Sequence, residues 1–155
     1  MKHPLSFATL ALTALPALAD EGEYMPPVSD PVTLAECSEC HMAYPAGFLP
    51  QRSWSRIMAT LEDHFGEDAS LDADTSARIE TYLTGLTGNA ADAGGRSSGL
   101  LYGVAATDTP LRISDMPWFR AEHDGEVSAR RLRKAGSISN CAACHRGAER
   151  GSFED

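Results

Sequence analysis

Two pentapeptides constrain this chain more than anything else in it: Cys37-Ser38-Glu39-Cys40-His41 and Cys141-Ala142-Ala143-Cys144-His145. Each reads Cys-x-x-Cys-His, and together they use all four cysteines. The spacing sets two thiols about one helical turn apart, which suits the two vinyl groups of one porphyrin. The histidine that follows is placed to reach the iron from one face. One match alone would be weak, because a dithiol redox motif shares the cysteine spacing. Two matches with no cysteine left over point to two covalently bound haem c groups with their iron. Zinc or dithiol chemistry is the competing reading. The histidine directly after both pairs and the wide separation of the pairs count against it.

The first residues agree with haem attachment outside the cytoplasm. Met1-Lys2-His3 is a short positive start, Leu5 to Leu18 is mostly apolar, and Ala17-Leu18-Ala19 is a small-x-small cleavage site before the acidic Asp20-Glu21-Gly22-Glu23. This is the layout of a secretory signal peptide over residues 1–19, with export to a periplasm as the expected outcome. An uncleaved amphipathic helix is the rival. The apolar stretch is too short to span a bilayer, so no stable membrane insertion is expected once the signal is removed.

The remainder is long enough for one ordinary domain or two very small ones. Its charge is uneven. From Asp20 to Gly99 there are fourteen Asp and Glu against four Arg; from Leu100 to Asp155 there are eight against eight. Such a chain is a poor nucleic-acid binder. Its acidic first half suits steering towards a basic protein partner, although solubility alone would account for the same charge.

Glu21 to Ser29 reads as an extended arm. Asp30-Pro31 is an N-cap followed by proline at the first helical position, opening a helix from about Pro31 to Met42 that carries the first motif. Tyr44 to Pro50 is an apolar loop expected against one edge of a porphyrin, or over an ordinary core. Ser53 is the expected cap of a helix from Trp54 to Phe65, ended by Gly66. Trp54, Ile57, Met58, Leu61 and Phe65 form its inner face, with His64 at the edge. Asp72 caps a third helix, Ala73 to about Leu86. Thr87 to Gly99 is rich in glycine and small polar residues and reads as a linker. The expected organisation is therefore a first haem domain over 20–86, a linker over 87–99 and a second haem domain over 100–155.

The second unit is poor in ordinary core. Leu100 to Val104 reads as a short strand or extended segment. Ser114 is the expected cap of a helix from Asp115 to about His123, and Glu126 to Lys134 reads as a helix, basic on one side, ended by Gly136. Asn140 introduces the second motif, and a short polar tail follows. So few large apolar side chains in about 56 residues would not fold alone, so the haem is expected to organise this half.

A six-coordinate haem takes a second axial ligand, usually His or Met. After signal removal four histidines remain: His41 and His145 in the motifs, and His64 and His123 spare. Two spare histidines for two haems make bis-histidine ligation the leading expectation. Methionine is the rival: Met42 is badly placed for the opposite face, Met58 reads as core, Met25 lies in the arm, and Met116 is the best alternative. Proximity pairs His41 with His64 and His145 with His123, with a crossed arrangement open. Without methionine's potential-raising effect both haems are expected at low potential.

Several runs also resemble the small dihaem cytochrome c family of purple bacteria. They are Glu36 to Pro45, Leu49-Pro50-Gln51-Arg52-Ser53-Trp54, Leu61-Glu62-Asp63-His64-Phe65-Gly66, and Pro110-Leu111-Arg112-Ile113 with Met116-Pro117-Trp118-Phe119 and His123. The resemblance covers nearly the whole mature chain. It implies a mainly α fold: a small domain like a class I cytochrome c, then a mostly irregular haem-wrapping domain with short helices. It implies bis-histidine haems, carried over to His41, His64, His123 and His145. It also implies redox partner proteins, namely an oxygen-binding monohaem cytochrome of the sphaeroides haem protein type as acceptor and a membrane cytochrome as donor.

Electron transfer without catalysis is thus the expected function. The alternative is a dihaem enzyme of peroxidase type with one labile axial site, against which the matched ligand count argues. The basic stretch Arg130 to Lys134 would dock an acidic partner, pair with haem propionates, or simply be a solvated helix face.

Overall fold

A computed structural model describes residues 24–90 and 99–154. The expected signal peptide and most of the glycine-rich stretch lie outside the described residues. Among the described residues the chain is mainly α, as expected. It has five α-helices joined by loops and single 3-10 turns, and no strand beyond isolated bridges.

Helix α1, Pro31–Cys37, is set by its N-terminus. The Asp30 carboxylate accepts from the Thr33 N–H at 2.9 Å and from the Thr33 hydroxyl at 3.0 Å, with Pro31 pre-set for the first turn. The same carboxylate meets the Arg78 guanidinium at 2.6 Å, which ties α1 to α3. That contact is the main reason the Asp30 carboxyl is held down at about 2. The helix stops at Cys37, sooner than expected, and Ser38 to His41 turn out of it. Only the first thiol therefore stands on the helix.

Helix α2, Gln51–Met58, begins one turn before Trp54. Pro50 takes the cap position, and Ser53 is wholly buried inside the first turn. The helix ends early because Thr60 turns its hydroxyl back to the Arg56 carbonyl at 3.0 Å and leaves helical geometry. A 3-10 turn, Leu61–Asp63, carries the chain to His64. Continued as a helix, this segment would have kept His64 in the row of Leu61 and Ile57. Helix α3, Ala73–Ala90, starts on Asp72, whose carboxylate accepts from the Thr75 N–H at 3.0 Å and the Thr75 hydroxyl at 2.7 Å. It packs on α2, α1 and the 3-10 turn Ala46–Phe48, and it runs past Leu86 into what reads as linker.

In the second half, residues 99–103 form turns instead of a strand. A 3-10 turn, Ile113–Asp115, precedes α4, Pro117–His123; the cap is Met116, not Ser114. Helix α5, Ala129–Ala135, is capped by the Ser128 hydroxyl at 3.3 Å from the Arg131 N–H and closed by Gly136 at φ 79°. Both α4 and α5 have seven residues, too few to persist in water on their own.

The core runs across both halves. Phe48, Leu49, Trp54, Ile57, Met58, Ile79 and Leu83 from the first half pack in one cluster with Ile113, Met116 and Phe119 from the second. Arg52 donates to the carbonyls of Ala105, at 2.8 Å, and Asp108. The Tyr44 hydroxyl donates to the Ser139 carbonyl at 2.7 Å. The tail is also less polar in its contacts than it reads. Ala148 is buried, Phe153 packs on the cluster, and the Met25 N–H donates to the Gly151 carbonyl at 2.8 Å. Gly151 sits at φ +81°, and a Cβ there would collide with the Met25 carbonyl, so glycine is required where the arm crosses the tail.

Candidate functional site

The structure brings the four candidate histidines together as two pairs. His41 and His64 have ring centroids 6.2 Å apart with planes inclined by 26°. His123 and His145 are 6.1 Å apart with planes inclined by 80°. Two imidazoles facing one metal, with metal–nitrogen bonds of about 2 Å, would have centroids roughly 6 Å apart. The rings approach each other in the combination that sequence proximity favours, His41 with His64 and His123 with His145. Met116 is fully buried in the shared core, and Met58 is buried beside it.

Tautomers are set at two of the four rings. His41 Nδ1 lies 2.7 Å from the Met42 carbonyl oxygen, and His123 Nδ1 lies 2.8 Å from that of Phe119. A carbonyl only accepts, so each Nδ1 carries the proton and donates. Each Nε2 is left with its lone pair for a metal. His64 is turned by its own loop: its N–H donates to the Glu67 carbonyl at 2.8 Å, and the Gly66 N–H donates to the Asp63 carboxylate at 3.2 Å. Phe65 holds an unusual positive φ of 59° in this turn, with the Arg112 guanidinium 4.1 Å above its ring. Burial, with the neighbouring His41 second, lowers the His64 pKa, which favours the neutral ring a metal needs.

Cys37, Cys40, Cys141 and Cys144 are not tied up in disulfides. Burial raises the pKa of Cys37 and Cys141. Cys40 and Cys144 are exposed. Among the described residues no group of three or more His, Cys, Asp or Glu side chains converges as a metal-binding set. A structural zinc needs four such donors. Haem iron has four of its ligands in the porphyrin and asks the protein for only two.

Beside the second pair lies an open cavity of about 440 Å³, lined among others by His123, His145, Cys141, Cys144 and Arg131. Volumes of this order hold cofactor-sized ligands. An arc of aromatic contacts joins its two histidines. Phe119 stacks on His123 at 4.0 Å, Trp118 meets Phe119 at 5.6 Å, and Phe48 meets Trp118 at 5.2 Å. Phe153 then meets Phe48 at 5.0 Å and His145 at 5.9 Å. The buried Trp118 Nε1 donor has no acceptor among the described residues. Such an orphan donor is costly unless a bound group accepts from it. These features fit a flat, apolar ligand with acidic substituents.

Three residues of this arrangement make long-range contacts that the sequence reading does not give. Phe48 sits in the loop after the first motif yet closes the second site. Phe153 lies in a tail that reads as polar. Tyr44 joins the sites: it stacks 4.9 Å from His41, and its hydroxyl reaches the Ser139 carbonyl two residues before Cys141. Burial pushes the Tyr44 phenol up to about 12, with Cys141 as a further cause. Its aromatic type in an apolar loop was the available signal, but its reach of 95 residues was not.

Two Cys-x-x-Cys pairs, each followed by a histidine that faces a second histidine, define a protein built to hold metal porphyrins covalently. Comparison with known proteins makes the class specific. The family model described as dihaem cytochrome c matches residues 33–153. A solved diheme cytochrome c from Rhodobacter sphaeroides is 58% identical, covering 83% of this chain and 99% of its own, with a TM-score of 0.75. A diheme cytochrome type c from Shewanella baltica is 38% identical, covering 80% of this chain and 86% of its own, with a TM-score of 0.63. No curated protein matches the chain. The chain belongs to the dihaem cytochrome c family, and it carries two covalently bound haem c groups.

Proposed function

We propose that this chain is an electron carrier whose two haems are each held by two histidines. The observation that supports this most is that each motif histidine faces a second histidine at close to 6 Å, His41 with His64 and His145 with His123. In this reading Cys37 and Cys40 bind the first porphyrin and Cys141 and Cys144 the second. The haems supply the one-electron chemistry. The chain's own residues fix the imidazoles, exclude water and keep both axial positions filled. A filled position leaves no place for peroxide, so the peroxidase-like alternative is the weaker one.

Export to the periplasm, by the signal peptide expected at residues 1–19, belongs to the same proposal. Among the described residues no helix is long and apolar enough to cross a membrane. The partners are then other redox proteins, among them the oxygen-binding monohaem cytochrome and the membrane cytochrome donor that the family resemblance implies.

The test is spectroscopic. A pyridine haemochrome should give two c haems per chain, and low-temperature EPR should give two low-spin signals. Substituting His64 or His123 by Ala should convert one haem, and only one, to high spin and open it to carbon monoxide. A substitution that leaves both low-spin would remove that ligand from the assignment. Carbon monoxide binding to the unaltered reduced protein would favour the enzyme.

A further inference from the structure

Helix α5 has two faces, and only one is accounted for by the second haem site. Arg131, Leu132 and Ala135, with Val127 just before the helix, line the cavity between His123 and His145. Arg130, Arg133 and Lys134 do not line it; at spacings of three and four residues they share the other face, and all three are exposed. No carboxylate pairs with any of the three among the described residues. Nearby acids exist: Glu122, Asp124 and Glu126 stand before the helix, and Glu122, Glu126 and Glu154 are at the cavity itself. The outer face of α5 nevertheless holds three cations and no acid, in a chain whose net charge is −9.

Building on the carrier reading above, we infer that the outer face of α5 docks a redox protein with an acidic surface, so that electrons pass to or from that partner through the second haem. The helix is at once a wall of the haem cavity and a basic plate one helix diameter away from it. A partner seated on the plate is held about 10 Å from the cavity, with no other element of the chain between. The strongly acidic first half repels the same partner from the first site, so charge both attracts it to one port and keeps it from the other. A bland role for Arg133 and Lys134 exists, since cations in the last turn favour a short helix. The experiment must separate the two.

The protein carrying both haems is reduced, and its oxidation is followed by stopped flow with ferricyanide, an anion, and with hexaammineruthenium(III), a cation. An acidic flavodoxin serves as the protein probe. In the triple variant Arg130→Gln, Arg133→Gln, Lys134→Gln, the rates with ferricyanide and flavodoxin should fall about tenfold at low salt, and the gap should close as salt rises. The rate with hexaammineruthenium(III) should fall less than twofold, and both EPR signals should be unchanged. Reversal to Glu at the three positions should deepen the effect on the anionic probes. A ferricyanide rate within twofold of the original would overturn the docking face. So would a rate loss accompanied by an altered second-haem EPR signal, which would mark a structural role for the helix. If the original protein exchanged electrons with none of the probes, the carrier reading itself would fall, and the docking face with it.

Discussion

Around His41 and His64 the chain is held by capped helices and hydrogen bonds; around His123 and His145 it is held by stacked rings. His41 follows α1 and His64 follows α2, and both helices pack on α3. There Asp30 and Asp72 cap their helices, and Asp30 meets Arg78 across two of them. The second pair hangs from two helices of seven residues and a 3-10 turn at the cysteines, with Phe119, Trp118, Phe48 and Phe153 arranged between its histidines. Short helices do not nucleate themselves, and stacked rings around a cavity need something to stack on. The two sites therefore depend on their haems to different degrees, although one core serves both halves.

The most direct way to break that contrast is to remove one haem at a time. With Cys141→Ser and Cys144→Ser, amide exchange from Glu126 to His145 should rise to near that of an unfolded chain. Ile113 to Phe119 should stay protected, because Ile113, Met116 and Phe119 pack on the first-half core. With Cys37→Ser and Cys40→Ser, α3 should keep most of its protection through α2. Exchange measured by mass spectrometry decides the matter. Equal loss in both variants would mean that the sites are equally cofactor-dependent.

A smaller effect should come from the residues that connect core to site. Phe119 is buried in the shared cluster and stacks on His123, whereas Ile79 is buried in the same cluster and has no ring to stack on an imidazole. Truncating either to Ala should cost about 3–4 kcal/mol in denaturant melts. Only Phe119→Ala should also shift the EPR signal of the second haem, by releasing the ring beneath the imidazole. If Ile79→Ala shifts it equally, the ring stack is not what orients His123.

The first half was largely legible in the sequence, because the physics there is local. Asp30-Pro31 and the Asp72 cap act within three residues, and the apolar spacing of Trp54, Ile57 and Met58 marks a helix face. The approach of the histidine rings in pairs was legible too, since each pair lies within a short stretch. What could not be read was set by contacts across the chain. Thr60 ends α2 through its own hydroxyl, which leaves no mark on apolar periodicity. Phe48 closes a site seventy residues further along in sequence, and Gly151 is needed where the Met25 backbone crosses it. The core of the second half seemed too thin because most of its partners belong to the first.

The mildest test concerns acid, and it should again divide the halves. The Asp30 carboxyl is drawn from its ordinary 3.8 to about 2, first by the Arg78 contact and then by the Thr33 N–H. A carboxyl lowered in the folded state lends stability above its unfolded pKa, and that contribution drains as pH falls through the window from about 4 to 2. In the second half the comparable pair, Asp115 with Arg120, is longer at 3.3 Å and more exposed, so it should contribute less to stability. Asn caps a helix about as well as Asp, so Asp30→Asn keeps the α1 cap and removes only the charge. The variant should therefore unfold at nearly the same pH as the original below pH 2, but be measurably less stable at pH 5. Its first-haem spectrum should respond to acid before its second. A difference in stability that persists unchanged from pH 5 to pH 2 would show that the substitution disturbs the α1 cap itself, and that the carboxylate charge is not what Asp30 supplies to the first site.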